Sequence, residues 1–310
     1  ENINRIVLGD KGKDKTIAYV PHGINEDVFR PILSKDDANY EDLLRNKQNI
    51  LGDKEYDFVI FFNSRNIRRK CASDLLAAYK LFKDQLPEEK KDKVCIILHT
   101  QPIDDNGTDL IAVRNMLLGE DDSVKFSGGR ISAEAMNLLY NLADVTVLPS
   151  SNEGWGLSLT ESMMSGTMII ANVTGGMQDQ MRFEDSDFCS NHFGTYKKHG
   201  EWAIPVFPSN ISIVGSPKTP YIFDDRLDFR DLSKALIECY NLPKDEIAAK
   251  GLAGRQWVTS DESMMSARKM NENIIKYFEE TFNKFKPRKK FGLYKIDKLP
   301  VKKLSHKLIY

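Results

Sequence analysis

The sequence predicts an α/β fold built on an open, doubly wound, mostly parallel sheet, and three observations carry that expectation. From Asp57 to Asn172, short β-rich runs alternate with segments of helical periodicity. The runs are apolar without alternation, as in strands covered on both faces. The loops that follow them hold most of the unusual chemistry of the chain. That is where ligands bind in such sheets, beyond the carboxyl ends of the strands.

The expected strands are 58–62, 94–99, 124–126, 145–148 and 168–171. Between them the i, i+3/i+4, i+7 rule places Leu75, Tyr79 and Phe82 on one helix face. Leu110, Val113 and Leu117 share a second face, and Met136, Leu139 and Ala143 a third. Residues 179–230 break the rhythm and read as a long irregular insertion. Helices are expected again at 231–240 and at about 263–285, the latter with an apolar stripe of Ala267, Met270, Ile274, Tyr277, Phe278 and Phe282.

With 310 residues, 41% hydrophobic and 10% aromatic, the chain has ample material for one large domain or two small ones. Its longest apolar runs are too short to span a bilayer, and no charged-then-apolar leader is visible at the amino end. Cys71, Cys95, Cys189 and Cys239 lie far apart without metal-type spacing, as reduced structural thiols of a cytoplasmic protein would. The formal charge of −1 hides an asymmetry: residues 284–310 hold ten Lys/Arg against Asp297, so +9 there faces −10 elsewhere. A basic tail on an acidic body suits nucleic acid or an anionic membrane surface, the latter with a peripheral location. The alternative is a solvated tail.

Four loops are candidate sites. Asn63–Lys70 packs Arg65, Arg68, Arg69 and Lys70 between a strand and a helix. Arg forks and a Lys point charge beside a helix N-terminus suit phosphate, although a solvated turn has the same composition. The glycines of a dinucleotide fingerprint or P-loop are absent, which disfavours a nicotinamide oxidoreductase. Ser150–Glu161 brings Gly154 and Gly156, which let backbone approach a ligand, between Glu153 in the loop and Glu161 in the early helix. Both carboxylates can face one cleft and accept bidentate hydrogen bonds from sugar or ribose hydroxyls. Otherwise Glu161 serves the helix dipole and Glu153 is solvated. Asn172–Gln178 offers Gly175 and Gly176 as an anion nest or an ordinary turn. Tyr19–Ile24 ends a strand-like run in Pro21-His22-Gly23, where His22 is a ligand-facing or merely structural histidine. Asp185-Ser-Asp187 matches an acid-x-acid metal pattern, but sits in the polar insertion. Asp104-Asp105 and Asp121-Asp122 read as solvated loop acids, and no metal-ligating cluster or Ser-His-Asp signature is found.

In this order, Pro21-His-Gly23, Arg65-x4-Lys70, Glu153-Gly-Trp-Gly-Leu-Ser-Leu-Thr-Glu161 and Thr174-Gly-Gly176 resemble family-4 glycosyltransferases of the GT-B fold. The resemblance covers about residues 16–285 and implies their carboxyl-terminal, Rossmann-like donor domain. It implies that Arg65 and Lys70 hold the donor diphosphate and stabilise the departing nucleotide, and that Glu161 binds the ribose. Glu153 would sit beside the transferred sugar, read by the backbone of Gly154, Trp155, Gly156 and Leu157. Ser64, Gly175 and Gly176 complete the donor set. It further implies retaining transfer of a hexose from a UDP- or GDP-linked sugar, without metal or other cofactor.

The sequence departs from the family pattern at Cys71, where a small residue, often Gly, is usual, and in the length of the 179–230 insertion. Residues 1–15 would be a remnant or linker from an acceptor domain that is missing or on another chain, and 286–310 a basic tail. The apolar stripe of the last helix would lean toward that domain and be partly exposed here. The acceptor is a glycan, a lipid, a protein or modified DNA. Two other readings stay open: a non-catalytic nucleotide-sugar-binding module, and a GT-B-like nucleotide-sugar epimerase.

Overall fold

The computed structural model describes residues 2–13, 15–183 and 198–287. The chain divides into two units, one of residues 20–272 and one of residues 1–19 with 273–310. Elements in chain order are α1 (Asn2–Leu8), α2 (Tyr40–Leu51), β1 (Phe58–Asn63), α3 (Ala72–Asp84), α4 (Glu88–Lys91), β2 (Val94–His99), α5 (Leu110–Leu118), β3 (Val124–Ser127), α6 (Ala133–Leu142), β4 (Val145–Leu148), α7 (Leu157–Met164), β5 (Met168–Asn172), α8 (Met177–Met181), β6 (Ala203–Val206), β7 (Asn210–Ser216), β8 (Thr219–Arg226), α9 (Phe229–Tyr240), α10 (Lys244–Val258) and α11 (Ala267–Lys284).

Six parallel strands form one sheet in the order β3-β2-β1-β4-β5-β6. The continuous apolar strands are explained by their position: Ile60, Phe61, Phe62, Ile96, Ile97, Val147 and Ile170 have no exposed surface. Each such side chain contributes about 1.5–3 kcal/mol of burial. Helices cover both faces. α3 packs on α5 and α9, while α2, α6, α7 and α10 pack in succession on the other side. The faces read from periodicity hold where burial is deepest: Leu75, Tyr79, Phe82 and Leu139 are fully or almost fully enclosed. The helix starts are set by side-chain caps. Asp109 accepts from Ala112 N at 2.9 Å, Ser132 from Ala135 N at 3.2 Å, and Asp228 from Arg230 N at 2.8 Å.

Three differences from the sequence reading stand out. The stretch 179–230 is not irregular throughout. It contributes β6 to the main sheet, and an antiparallel hairpin, β7–β8, paired as Ile213↔Phe223 and Ile211↔Asp225. The strand-like run before His22 is not a strand; only Ile24 makes a bridge, to Ser266. Helix α10, whose apolar positions are few and broken by Gly251 and Gly254, had no clear period to read. Its glycines lie against the backbone of Gly166 and the ring of Trp202. On α11, Ile274, Phe278 and Phe282 are exposed, as expected for the stripe. The acid pair at 185–187 and nearly all of the basic tail lie outside the described residues.

Candidate active site

Strands β1 and β4 are neighbours, yet the helices that follow them, α3 and α7, lie on opposite faces. The two loops therefore part at the carboxyl edge of the sheet and open a crevice between them. A cleft of about 370 Å³ occupies that place. Asn63, Ser64 and Lys70 line it from the β1 side, Glu153, Trp155, Gly156, Leu157, Ser158 and Glu161 from the β4 side, and His22 closes one edge. A larger hollow of about 540 Å³ lies beside the edge strand β3, bounded by Asn49, Arg114, Glu120 and Asp121. Neither the basic loop nor the two glutamates reach it, so the chemistry of the chain belongs to the smaller cleft.

Two cations converge on Glu153. Lys70 Nζ binds Oε1 directly, and Arg69 reaches the same oxygen at 3.0 Å while also donating to Asn152 O at 2.6 Å. Glu153 and Lys70 are both largely enclosed. Burial alone would raise the Glu153 carboxyl, but the hydrogen bonds and charges of Lys70 and then Arg69 hold it below the ordinary carboxylate range. Burial lowers the Lys70 ammonium against the opposing pull of Glu153. Glu161 behaves differently: burial raises its carboxyl, opposed by a hydrogen bond from Tyr140 Oη at 2.7 Å. Neither acid is thus a solvated one: Glu153 is held by two cations and Glu161 by Tyr140.

The loop between the glutamates is fixed by a buried polar chain. Trp155 Nε1 donates to Thr160 Oγ1 at 2.9 Å, Thr160 Oγ1 to Gln180 Oε1 at 2.8 Å, and Gln180 Nε2 back to Trp155 O at 2.6 Å. The Trp155 ring meets His22 edge-on, with centroids 6.1 Å apart. Gly156 turns the chain into α7 at φ +87°, a conformation that disfavours any side chain.

Gly175 and Gly176 do not line the cleft. They press on the Glu153 loop from behind, where Gly176 N donates to Glu153 O at 3.3 Å. A Cβ on Gly175 would lie 1.9 Å from Glu153 O, and one on Gly176 2.4 Å from Gly154 O. Gly154 itself is exposed, with open space around it. Cys71, the departure from the family pattern, sits at φ +54° as the residue before α3. The left-handed backbone there is the reason a glycine suits this place. Its enclosed thiol, pushed up to about 11 by burial, lies 3.5 Å from Arg69 O.

Arg65 stands outside the cleft lining. Its Nε and Nη2 grip Asp104 at 2.8 and 3.2 Å, and the side chain of Asp104 is nearly enclosed. Asp104 is therefore no solvated loop acid, and its carboxyl falls to about 2 beside Arg65. Asp121 is likewise held, by Lys83 and by Ser123 N at 2.8 Å. The sequence reading missed Asn63, Ser158, Tyr140 and Gln180. Only Asn63 carried a signal, a polar residue closing an apolar strand. Among the described residues, no group of three or more His, Cys, Asp or Glu could hold a metal ion, and no helix is long and apolar enough to cross a membrane.

The fold is that of the Rossmann-like domains of GT-B glycosyltransferases. Residues 45–190 match the family model for glycosyl transferases group 1. Among curated relatives, mannosylfructose-phosphate synthase of Agrobacterium fabrum is 26% identical over 176 residues, covering 56% of this chain and 36% of the relative. Among solved structures, sucrose-phosphate synthase from Thermosynechococcus elongatus superposes with TM-score 0.61 at 19% identity, over 91% of this chain and 57% of that one. Anabaena HepE, solved in complex with UDP-glucose, gives 0.58 at 17% identity, over 83% of this chain and 56% of that one. The structural likenesses are likenesses of fold, and this chain spans little more than half of those proteins and about a third of the curated relative.

Proposed function

We propose that this chain supplies the donor site of a retaining glycosyltransferase that moves a hexose from a UDP- or GDP-linked sugar to a hydroxyl acceptor, without metal. The observation that carries the reading is the convergence of Lys70 and Arg69 on Glu153, in a switch-point cleft that Glu161 also lines. Breaking the bond between the anomeric carbon and the diphosphate leaves negative charge on a phosphate oxygen. Lys70 and Arg69 are the fixed cations that stabilise it, and Arg65 joins them once turned from Asp104. Glu153, ionised through its two cationic partners, is unsuited to donate a proton. It serves instead as an acceptor for sugar hydroxyls and as the counter-charge that keeps Lys70 extended. Glu161 accepts from the ribose. The UDP-glucose complex of HepE supports a uridine donor as the first to try.

Calorimetric titration with UDP, GDP, ADP and their common sugar conjugates, without added metal, tests the reading. One nucleotide should bind, and Lys70→Ala or Arg65→Ala should weaken it by about 1.5–3 kcal/mol, the scale of a charged hydrogen bond. Unchanged affinity in both variants refutes the phosphate assignment. Donor turnover with an acceptor-domain-bearing protein then separates transfer from mere binding, and a sugar product without acceptor identifies an epimerase.

A further inference from the structure

The two carboxylate oxygens of Glu161 have different surroundings. Oε2 accepts from Tyr140 Oη at 2.7 Å and lies 3.4 Å from Asn63 Nδ2, which also reaches Tyr140 Oη at 2.9 Å. Among the described residues Oε1 has no hydrogen-bond partner, while Glu161 lines the cleft. Each carboxylate oxygen offers about two acceptor positions. Those of Oε2 are taken by the protein, and those of Oε1 are left for a ligand.

The group that holds Oε2 is rigid. Tyr140 is fully enclosed, its ring edge-on to Phe61 and Phe29 at centroid distances of 5.0 and 6.1 Å. Its carbonyl accepts from Thr167 Oγ1 at 2.8 Å. One turn along α6, Asn137 Oδ1 accepts from Ser165 Oγ at 2.8 Å, and the same hydroxyl also reaches Glu161 O at 2.8 Å. α6 is thereby pinned at two points to the residues just after α7, next to the Tyr140–Glu161 contact. Asn63, the last residue of β1, fixes the third corner from the sheet.

We propose that Tyr140 and Asn63 are positioning residues that hold Oε2 of Glu161 so that Oε1 faces the paired hydroxyls of a bound ribonucleoside diphosphate. The inference rests on the ribose reading of Glu161 given above. A carboxylate with a free rotation would pay side-chain entropy on binding, and one held at a single oxygen has that cost settled in the fold. The Tyr140 hydroxyl also favours the charged carboxylate against the burial that disfavours it. Lys70, Glu153 and His22 are the other titratable groups around the cleft, and Tyr140 faces Glu161 from α6.

The test uses the whole chain and calorimetry. UDP, GDP and ADP are titrated first, and the tightest is compared with its 2′-deoxy and 3′-deoxy forms. Wild type should prefer the ribonucleotide, and Glu161→Ala should lose the preference. Tyr140→Phe, which keeps the ring and its edge contacts, should cut the preference about tenfold, the range of a hydrogen bond to a charged group, while inorganic pyrophosphate binds as before. The pH below which the preference fades should also move upward in Tyr140→Phe, because the carboxyl has lost the donor that favoured its ionised form. Should Tyr140→Phe fail to fold, Asn63→Ser carries the same expectation at smaller size. A Tyr140→Phe protein with wild-type preference and pH midpoint, beside a Glu161→Ala protein that has lost the preference, overturns the positioning role and leaves the ribose reading standing. If Glu161→Ala retains the preference, the ribose reading falls and this inference with it.

Discussion

Gly175→Ala tests whether the Thr-Gly-Gly turn is there for a ligand or for the loop in front of it. The new Cβ would lie 1.9 Å from the carbonyl oxygen of Glu153 and 3.1 Å from its carbon. Both neighbours are backbone, so no flexible side-chain end can yield. The turn and the loop would have to part by roughly an ångström or more, a strain on the scale of ~1–3 kcal/mol for overpacking. Gly175 also has φ +50°, where a Cβ adds ~1 kcal/mol or more. The sum is about 2–4 kcal/mol, a fall in Tm on the order of 5–15 °C for a unit of this size. Gly154→Ala is the matched control: its Cβ meets nothing within 4 Å and its φ is not positive, so stability should hold within ~0.5 kcal/mol. Thermal unfolding by circular dichroism reads both. If Gly175 were an anion nest alone, alanine would lower nucleotide affinity and leave Tm in place. A Gly175→Ala protein as stable as wild type refutes the close-approach argument.

Three further outcomes follow from the electrostatics. Lys70→Ala leaves an enclosed Glu153 with Arg69 as its remaining cation, and should cost roughly 2–4 kcal/mol in denaturant unfolding; adding Glu153→Ala should recover most of that loss, and a cycle without recovery contradicts the pairing. Burial raises the Glu161 carboxyl, so its folded value lies above its unfolded one: the charge opposes folding at neutral pH, and that opposition is relieved as pH falls through the folded value. Glu161→Gln should therefore raise Tm on the order of 2 °C at pH 7, lose this advantage on acidification, and bind nucleotide more weakly; an unchanged or lower Tm at pH 7 contradicts the sign. Cys71, Cys95 and Cys239 are enclosed, with thiols pushed up by burial to about 11, 12 and 12; mass mapping after a thiol reagent at neutral pH should find these three unmodified in the folded protein and modified after unfolding.

The sheet was legible because four of its five expected strands are almost wholly apolar, a pattern that two-sided burial explains, while the fifth carries Lys125 and lies at the sheet edge. β6 was not, since Ala203–Val206 contains Pro205 and follows a long polar stretch; it joins at the sheet edge, where a proline is tolerated. Glu153 and Glu161 could be placed at one cleft from the strand-loop-helix order, and Lys70 joined them through the family resemblance. Their partners could not, because Tyr140 looks like an ordinary core position of an amphipathic helix. Its hydroxyl matters only through the way α6 lies against α7. Gln180 is hidden for the same reason, a polar residue in a five-residue helix whose use appears only when Thr160 and Trp155 come alongside. Arg65 shows the reverse limit: composition marks it as a phosphate ligand, but its bidentate partner Asp104 comes from the loop after β2, 39 residues away.

The region that broke the rhythm of the sequence turns out to brace the loops that carry the site. Asp225, near the end of β8, donates its amide to Ser151 O at 2.9 Å, and its carboxylate accepts from Thr174 Oγ1 at 2.6 Å. Asn172 Nδ2 bridges Ser150 O and Asp225 O at 2.9 and 2.5 Å. The base of the hairpin thus ties the loop before Glu153 to the turn that carries Gly175, the two segments whose backbones must pass at close range. Phe223, whose carbonyl accepts from Asn152 Nδ2 at 2.9 Å, still belongs to that base, whereas farther out Ile213 and Tyr221 are exposed. Replacing residues 212–222 by a short turn should therefore leave Tm and nucleotide affinity near wild type. Asp225→Ala, a far smaller change, leaves the buried Thr174 hydroxyl without its acceptor while the backbone contacts to Ser151 and Asn172 remain, and should cost about 1–3 kcal/mol in stability with a matching loss of nucleotide binding. The reverse order, a tolerant Asp225 and a sensitive outer hairpin, would mean that the hairpin acts through its exposed face and that its base is only an anchor.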